Sequence, residues 1–196
     1  MSLLEMVQNQ LGPDAVQQIG RKIGAEPGQA GQAISAALPM LVAAMARNTS
    51  DPSQAAGLAR AIEQDHDGSL LDNLSGFLGS PSGRAADGNG ILKHVLGGRR
   101  GAVEQQLGRG TGLNTSQMAQ LLPLLAPIVM AALGKMKREK GLDAGGLAGL
   151  LGGERAQIQQ QAPGLMGALS GMLDRDGDGS AIDDLGGMLG GLFRKG

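Results

Sequence analysis

The chain has 196 residues with a formal net charge of −1, no cysteine and only two histidines. These counts exclude disulfides, thiol catalysis and cysteine-based zinc sites, and they leave no multi-histidine metal site. A net charge near zero gives no overall attraction to nucleic acid or to an anionic membrane. The start of the sequence has no basic region followed by an apolar stretch, so we expect a cytoplasmic protein, or one exported without a leader.

The composition of the core predicts an all-α fold. Hydrophobic residues make up 41% of the chain, yet the only aromatic residues are two Phe, and 35 residues are Gly. A core of Leu, Ala, Met and Ile with many glycines suits closely packed helices, whereas a sheet would use more β-branched and aromatic residues. In chain order, the predicted helices are 2–11, 13–24, 28–47, 52–63, 70–78, 90–96, 101–109, 116–138, 144–151, 154–172 and 181–192.

The most apolar stretch is 118–133, within the predicted helix 116–138. It is shorter than the roughly 20 residues that cross a bilayer and contains Gln120, so we predict a buried central helix rather than a membrane span. Basic residues gather near the C-terminal end of that helix, where they interact favourably with the helix dipole. Three prolines inside helical patterns predict kinks: Pro39, Pro123 and Pro127.

An internal duplication divides the chain. Residues 65–79 (DHDGSLLDNLSGFLG) and 176–190 (DGDGSAIDDLGGMLG) are identical at nine of 15 positions. Repeated helical units of this kind predict a first unit over 1–80, a Gly, Ser and Pro-rich linker over 81–89, and a second unit over 90–196. Each unit ends in an Asp-rich loop followed by a helix.

The Asp loop of the second unit follows the first half of an EF-hand calcium loop. Asp174, Asp176 and Asp178 occupy positions 1, 3 and 5, Gly179 occupies position 6, and the Ser180 carbonyl is the next expected ligand. Calcium takes six to eight oxygen ligands, and alternating Asp residues on a tight turn converge their carboxylates. Position 12 is Leu instead of Glu, so the loop is closed by one of the acids at positions 10 and 11, Asp183 or Asp184.

The first unit repeats this pattern with a longer acid at position 1. Without any ion, an Asp-Gly turn and a Ser-capped helix explain part of it. Three acids spaced by two in both copies favour calcium, since carboxylates so close together repel each other unless they are neutralised. We expect His66, between the acids, to face solvent rather than bind a hard cation. The candidate ligands of the first loop are Glu63, Asp65, Asp67, Ser69 and Asp72.

A longer pattern is similar to a known family. The segments ILKHVLGG, AVEQQL and LLPLLAPIVMAAL within 91–133, followed by DRDGDGSAIDDLGGML, resemble the YidB-like bacterial proteins of unknown function. The resemblance implies an all-helical fold with a small module likened to a homeodomain arrangement, here in duplicated form. It implies no activity.

The sequence predicts a non-enzymatic, calcium-binding structural or interaction protein, with self-assembly left open. It contains no phosphate-binding loop, and His94 lies in a helical pattern that places it at the surface. The alternatives are a homeodomain-like nucleic-acid binder, disfavoured by the lack of a basic stripe, and a membrane-associated helical protein. The terminal segment 181–193 carries an apolar helical stripe that docks on its own core or on a second copy as a homo-oligomer or filament.

Overall fold

A computed structural model describes residues 1–161 of the chain. Across that range the protein forms ten α-helices and two 3₁₀ turns, with no strand, so the all-α prediction is confirmed. The second Asp loop and the predicted terminal helix lie outside the described residues. The helices are α1 (Leu3–Gln10), α2 (Pro13–Ile23), α3 (Pro27–Asn48), α4 (Pro52–Asp65), α5 (Ser69–Asp72), α6 (Leu74–Gly79), α7 (Gly88–Val95), α8 (Arg100–Thr111), α9 (Thr115–Lys140) and α10 (Ala144–Gln161).

Helix ends occur where the local sequence offers a cap. Asn114 accepts the backbone N–H of Gln117, and the Gln117 side chain accepts the N–H of Asn114, which makes a reciprocal capping box at the start of α9. Asp51 caps α4 through the backbone N–H of Ser53, just before a proline at the first helical position. Gly141 ends α9 in the left-handed conformation, which costs glycine little.

Helix α9 is the centre of the fold, as its apolar faces predict. It packs against α1, α2, α3, α4, α5, α7 and α8. Leu121, Leu125 and Val129 are fully buried, and each such side chain contributes about 1.5–3 kcal/mol by leaving water. Helix α10 packs mainly on α3 and α4. The two predicted units share one hydrophobic core, drawn from α1 to α10.

Two of the predicted boundaries are wrong. The segments 144–151 and 154–172 were expected as separate helices, but α10 runs unbroken through Gly152 and Gly153. Its buried residues Leu147, Leu151 and Ile158 recur at helical spacing, while these two glycines face solvent, so packing holds the helix where propensity is poor. Conversely, the predicted helix 70–78 is two short helices, because Asn73 leaves the helical conformation and its side chain caps Gly76.

Proline and glycine combine at the crossing of α7 and α9. Pro123 and Pro127 both lie inside α9, as Pro39 lies inside α3. Pro127 has no N–H, so the Pro123 carbonyl four residues earlier lacks its usual helical donor. Gly88, the first residue of α7, lies directly against that carbonyl oxygen, where a Cβ would overlap it. The missing side chain therefore sets how closely α7 approaches the central helix.

Helices α3 and α9 are each long and apolar enough to cross a membrane by length and composition. The most apolar window of α3 is 67% buried inside the fold, and that of α9 is 78% buried. Burial in the core accounts for the apolar character of both helices without a lipid bilayer.

Candidate functional site

The first Asp loop spans three different elements rather than one continuous turn. Glu63 and Asp65 belong to the last turn of α4, which runs two residues further than predicted. Asp67 lies in the connection, Ser69 begins α5 and Asp72 ends it. Residues two apart on a helix point to different sides, so positions 1 and 3 of the loop are directed apart.

Two acids of this loop, Glu63 and Asp67, meet protein cations or protein donors. Glu63 forms a 2.7 Å ion pair with Lys137 Nζ of α9. Asp67 Oδ1 accepts the Ser69 hydroxyl at 2.6 Å and the Ser69 backbone N–H at 3.0 Å, and Arg138 lies 4.0 Å from its other oxygen. The Ser69 hydroxyl bond, followed by the backbone bond, lowers the pKa of Asp67. Within residues 1–161 no three Asp, Glu or His side chains lie close enough together to hold a metal ion.

The bend itself has the predicted form. Gly68 has φ 98°, which L side chains rarely adopt, so glycine is required at position 6. The space is also closed, since a Cβ on Gly68 would lie 3.1 Å from Cβ of Lys135. The basic cluster at the end of α9, predicted only to favour the helix dipole, therefore also surrounds the loop.

A cavity of about 370 Å³ lies beside the loop, between α3, α4, α7 and α9. Its walls are mainly apolar, with a small group of polar residues. The apolar residues are Met45, Leu58, Ala61, Ile91, Val95 and Met130, and the charged or titratable ones are Asp65, His66, Arg84, Asp87 and His94. Both histidines of the chain thus line one cavity.

The two histidines occupy opposite environments. His66 was expected to face solvent, and this prediction is wrong, because the residue is only 5% exposed. Its Nδ1 is buried without a hydrogen-bond partner. Burial lowers the pKa of the ring, although the negative charge of Asp65 acts in the opposite direction. His94 is exposed, as predicted, with its Nδ1 2.9 Å from the Gly90 carbonyl oxygen.

Neighbouring caps hold this side of the cavity in place. Asp87 Oδ1 accepts the backbone N–H of Gly90 and so begins α7. The Asn48 amide donates to the carbonyl of His94 at 2.9 Å, which ties the end of α7 to α3. The predicted linker is therefore an ordered wall of the cavity and carries a 3₁₀ turn at Arg84–Ala86.

Residues 5–136 match a family described as bacterial protein of unknown function (DUF937). The chain belongs to this family. Its membership confirms the YidB-like resemblance seen in the sequence, and the matched region contains the first Asp loop and the whole cavity lining. The family match ends before the second Asp loop. No curated protein and no solved structure matches the chain.

Sequence reasoning missed the cavity because its residues come from five separate segments. One signal was available in the sequence, namely that the chain has only two histidines. One lies in the Asp loop and the other in α7, and both line the same cavity. Neither histidine has a ligand-like spacing to the other in sequence, so only packing reveals the pair.

Proposed function

We propose that this protein is a non-enzymatic, calcium-binding interaction protein whose calcium site is the second Asp loop, Asp174–Asp184. The observation that supports this assignment is the pairing of two acids of the first loop, Glu63 with Lys137 and Asp67 with Arg138. In this copy of the motif, the chain thus offsets part of the repulsion between acids with its own cations. The same repulsion arises in the other copy, and calcium is the natural partner for its ligand pattern.

The second loop has the stronger set of ligands. It carries five Asp residues between 174 and 184, with Arg175 as the only basic residue. The first loop replaces position 1 by Glu63 and position 11 by Asn73, and thus presents fewer Asp carboxylates. Both loops keep the Asp-Gly-Ser sequence that forms the bend at Gly68. We therefore assign calcium first to Asp174, Asp176, Asp178, Ser180 and one of Asp183 and Asp184.

Calorimetric titration of the full chain with calcium tests this proposal. We expect one saturable site, lost in Asp176→Asn and kept in Asp67→Asn, which makes the same charge change in the first loop. At 100 times its dissociation constant, calcium should stabilise the fold by about 2.7 kcal/mol, if the ion binds only the folded state. The melting temperature should fall again on adding chelator.

The two variants separate the outcomes. If Asp67→Asn loses calcium binding and Asp176→Asn keeps it, the calcium site is the first loop. Identical melting curves in calcium and in chelator, with no heat of binding up to millimolar calcium, would refute the proposal for both loops.

A further inference from the structure

We propose that the cavity between α3, α4, α7 and α9 binds a small organic cation, with an apolar body and a primary ammonium head group. This inference is independent of calcium at the second Asp loop. It rests on the shape and apolar lining of the cavity and on the half-buried, unpaired carboxylate of Asp65.

The cavity has the dimensions and lining of a ligand pocket. Its volume of about 370 Å³ lies in the range of small-molecule sites, which run from about 300 to 1,000 Å³. Aliphatic side chains from α3, α4, α7 and α9 form most of its wall, including the two flexible side chains of Met45 and Met130. Such walls accommodate an aliphatic or alicyclic body and offer it no directional contact.

The polar side of the cavity includes several acceptors, beside the donor groups of Gln54 and Arg84. Asp65 is half-buried, and its carboxylate makes no hydrogen bond or ion pair with any residue in 1–161. Asp87 uses one oxygen to cap α7, which leaves its second oxygen available. Because His94 Nδ1 faces a carbonyl oxygen, it must donate, and the Nε2 of the neutral ring is then an acceptor.

The charge of the lining also favours a cation. The lining carries two carboxylates, Asp65 and Asp87, and one guanidinium, that of Arg84; Asp87 and Arg84 are exposed, whereas Asp65 is half-buried.

An organic cation fits this lining better than a metal ion. No three of the acidic and histidine side chains in residues 1–161 are close enough to bind one ion together. A primary ammonium has three N–H donors and can satisfy separate acceptors, while its hydrocarbon body fills the apolar part of the cavity.

Side-chain NMR of the two histidines tests the proposal directly, since both line the cavity. The probes are cyclohexylmethylamine, cyclohexylmethanol and cyclohexanecarboxylate, which share one body and differ in the head group. With the full chain in chelator, we expect the amine to shift both histidine signals saturably. The alcohol should bind about tenfold more weakly, and the carboxylate should not bind.

Three variants complete the test. Asp65→Asn should weaken binding of the amine about tenfold or more, so that its affinity approaches that of the alcohol. Asp14→Asn makes the same charge change on the exposed first turn of α2 and should leave binding unchanged. Ala61→Leu fills the cavity and should abolish binding of all three probes. Circular dichroism and melting curves establish that each variant is folded.

Three results would overturn the inference. The first is carboxylate binding as tight as the amine, which would assign the site to anions through Arg84. The second is the absence of any histidine shift at amine concentrations up to about 10 mM, which would detect a dissociation constant of about 1 mM. The third is amine binding that is unchanged in both Asp65→Asn and Ala61→Leu.

Discussion

Gly134 of α9 lies directly against the carbonyl oxygen of His66, so closely that a Cβ on Gly134 would overlap that atom. The contact joins the C-terminal part of the long helix to the connection between α4 and α5. It fixes the backbone of His66 and therefore the position of its ring at the cavity. The Asp loop and the cavity thus depend on the same missing side chain.

Gly134→Ala should destabilise the protein by about 1–3 kcal/mol, because the loop must move away from α9 to admit the methyl group. Gly149→Ala is the matched control: Gly149 lies in α10 with nothing within 4 Å of its Cβ position. That substitution should stabilise the protein by about 0.5–1 kcal/mol through helix propensity. Urea unfolding of both variants measures the difference, and equal stability of Gly134→Ala and the parent would contradict the close contact.

Glu154 connects the two ends of the described chain, because its Oε1 accepts the Leu3 backbone N–H at 2.7 Å. Glu154 is 7% exposed, so Glu154→Ala leaves a donor near the core without its partner and should cost about 1–3 kcal/mol. Glu154→Gln keeps an acceptor oxygen and should cost less. Gln157→Ala, exposed on the same helix, should change stability by no more than about 0.5 kcal/mol.

Amide hydrogen exchange locates the effect of Glu154. In Glu154→Ala the amides of α1 should exchange faster, while those of α9 keep their relative protection. Uniform acceleration throughout the protein would instead indicate a general loss of packing at α10.

The buried ring of His66 predicts a loss of stability in mild acid. Its pKa is lowered in the folded state, so above the unfolded-state value of about 6.5 both states are neutral and the group contributes no pH dependence. As the pH falls through 6.5 towards the folded pKa, the unfolded state gains the proton first, and folding becomes weaker. The free energy of unfolding should therefore fall between pH 7.5 and 5.5.

Paired histidine variants isolate this effect. His66→Gln should flatten the pH dependence, whereas His94→Gln, at the other side of the same cavity, should leave it in place. A pH dependence that survives in His66→Gln would assign it to another group.

Self-association should depend on the terminal segment 181–193, which lies outside the described residues. Among residues 1–161, Met1 is the only large hydrophobic side chain in the exposed class, so the apolar stripe of 181–193 is the leading candidate for contacts between copies. Light scattering of the full chain, across micromolar concentrations with calcium, should show oligomers that a chain ending at Arg175 does not form. If both samples are monomeric, the self-association prediction is wrong and the segment does not join copies of the chain.

Helix type and helix ends followed from local sequence. The signals for the helices act within a few residues, so they can be recognised in the sequence. They are the Asp and Pro that begin α4, the capping box of Asn114 and Gln117, and the apolar periodicity of α9. The bend at Gly68 was also predictable, since the Asp-Gly-Ser pattern requires a residue tolerant of positive φ. The family resemblance was correct on the same local evidence.

The tertiary structure alone decided where the charges and the histidines would lie. Glu63 and Lys137 are 74 positions apart, so their ion pair depends on how α4 crosses α9, which no local pattern records. The burial of His66 arises in the same way, from the contact of its carbonyl with Gly134. Local chemistry thus determined the helices and the turn, whereas side-chain packing between distant segments determined which polar groups became neutralised and which were left to face a cavity.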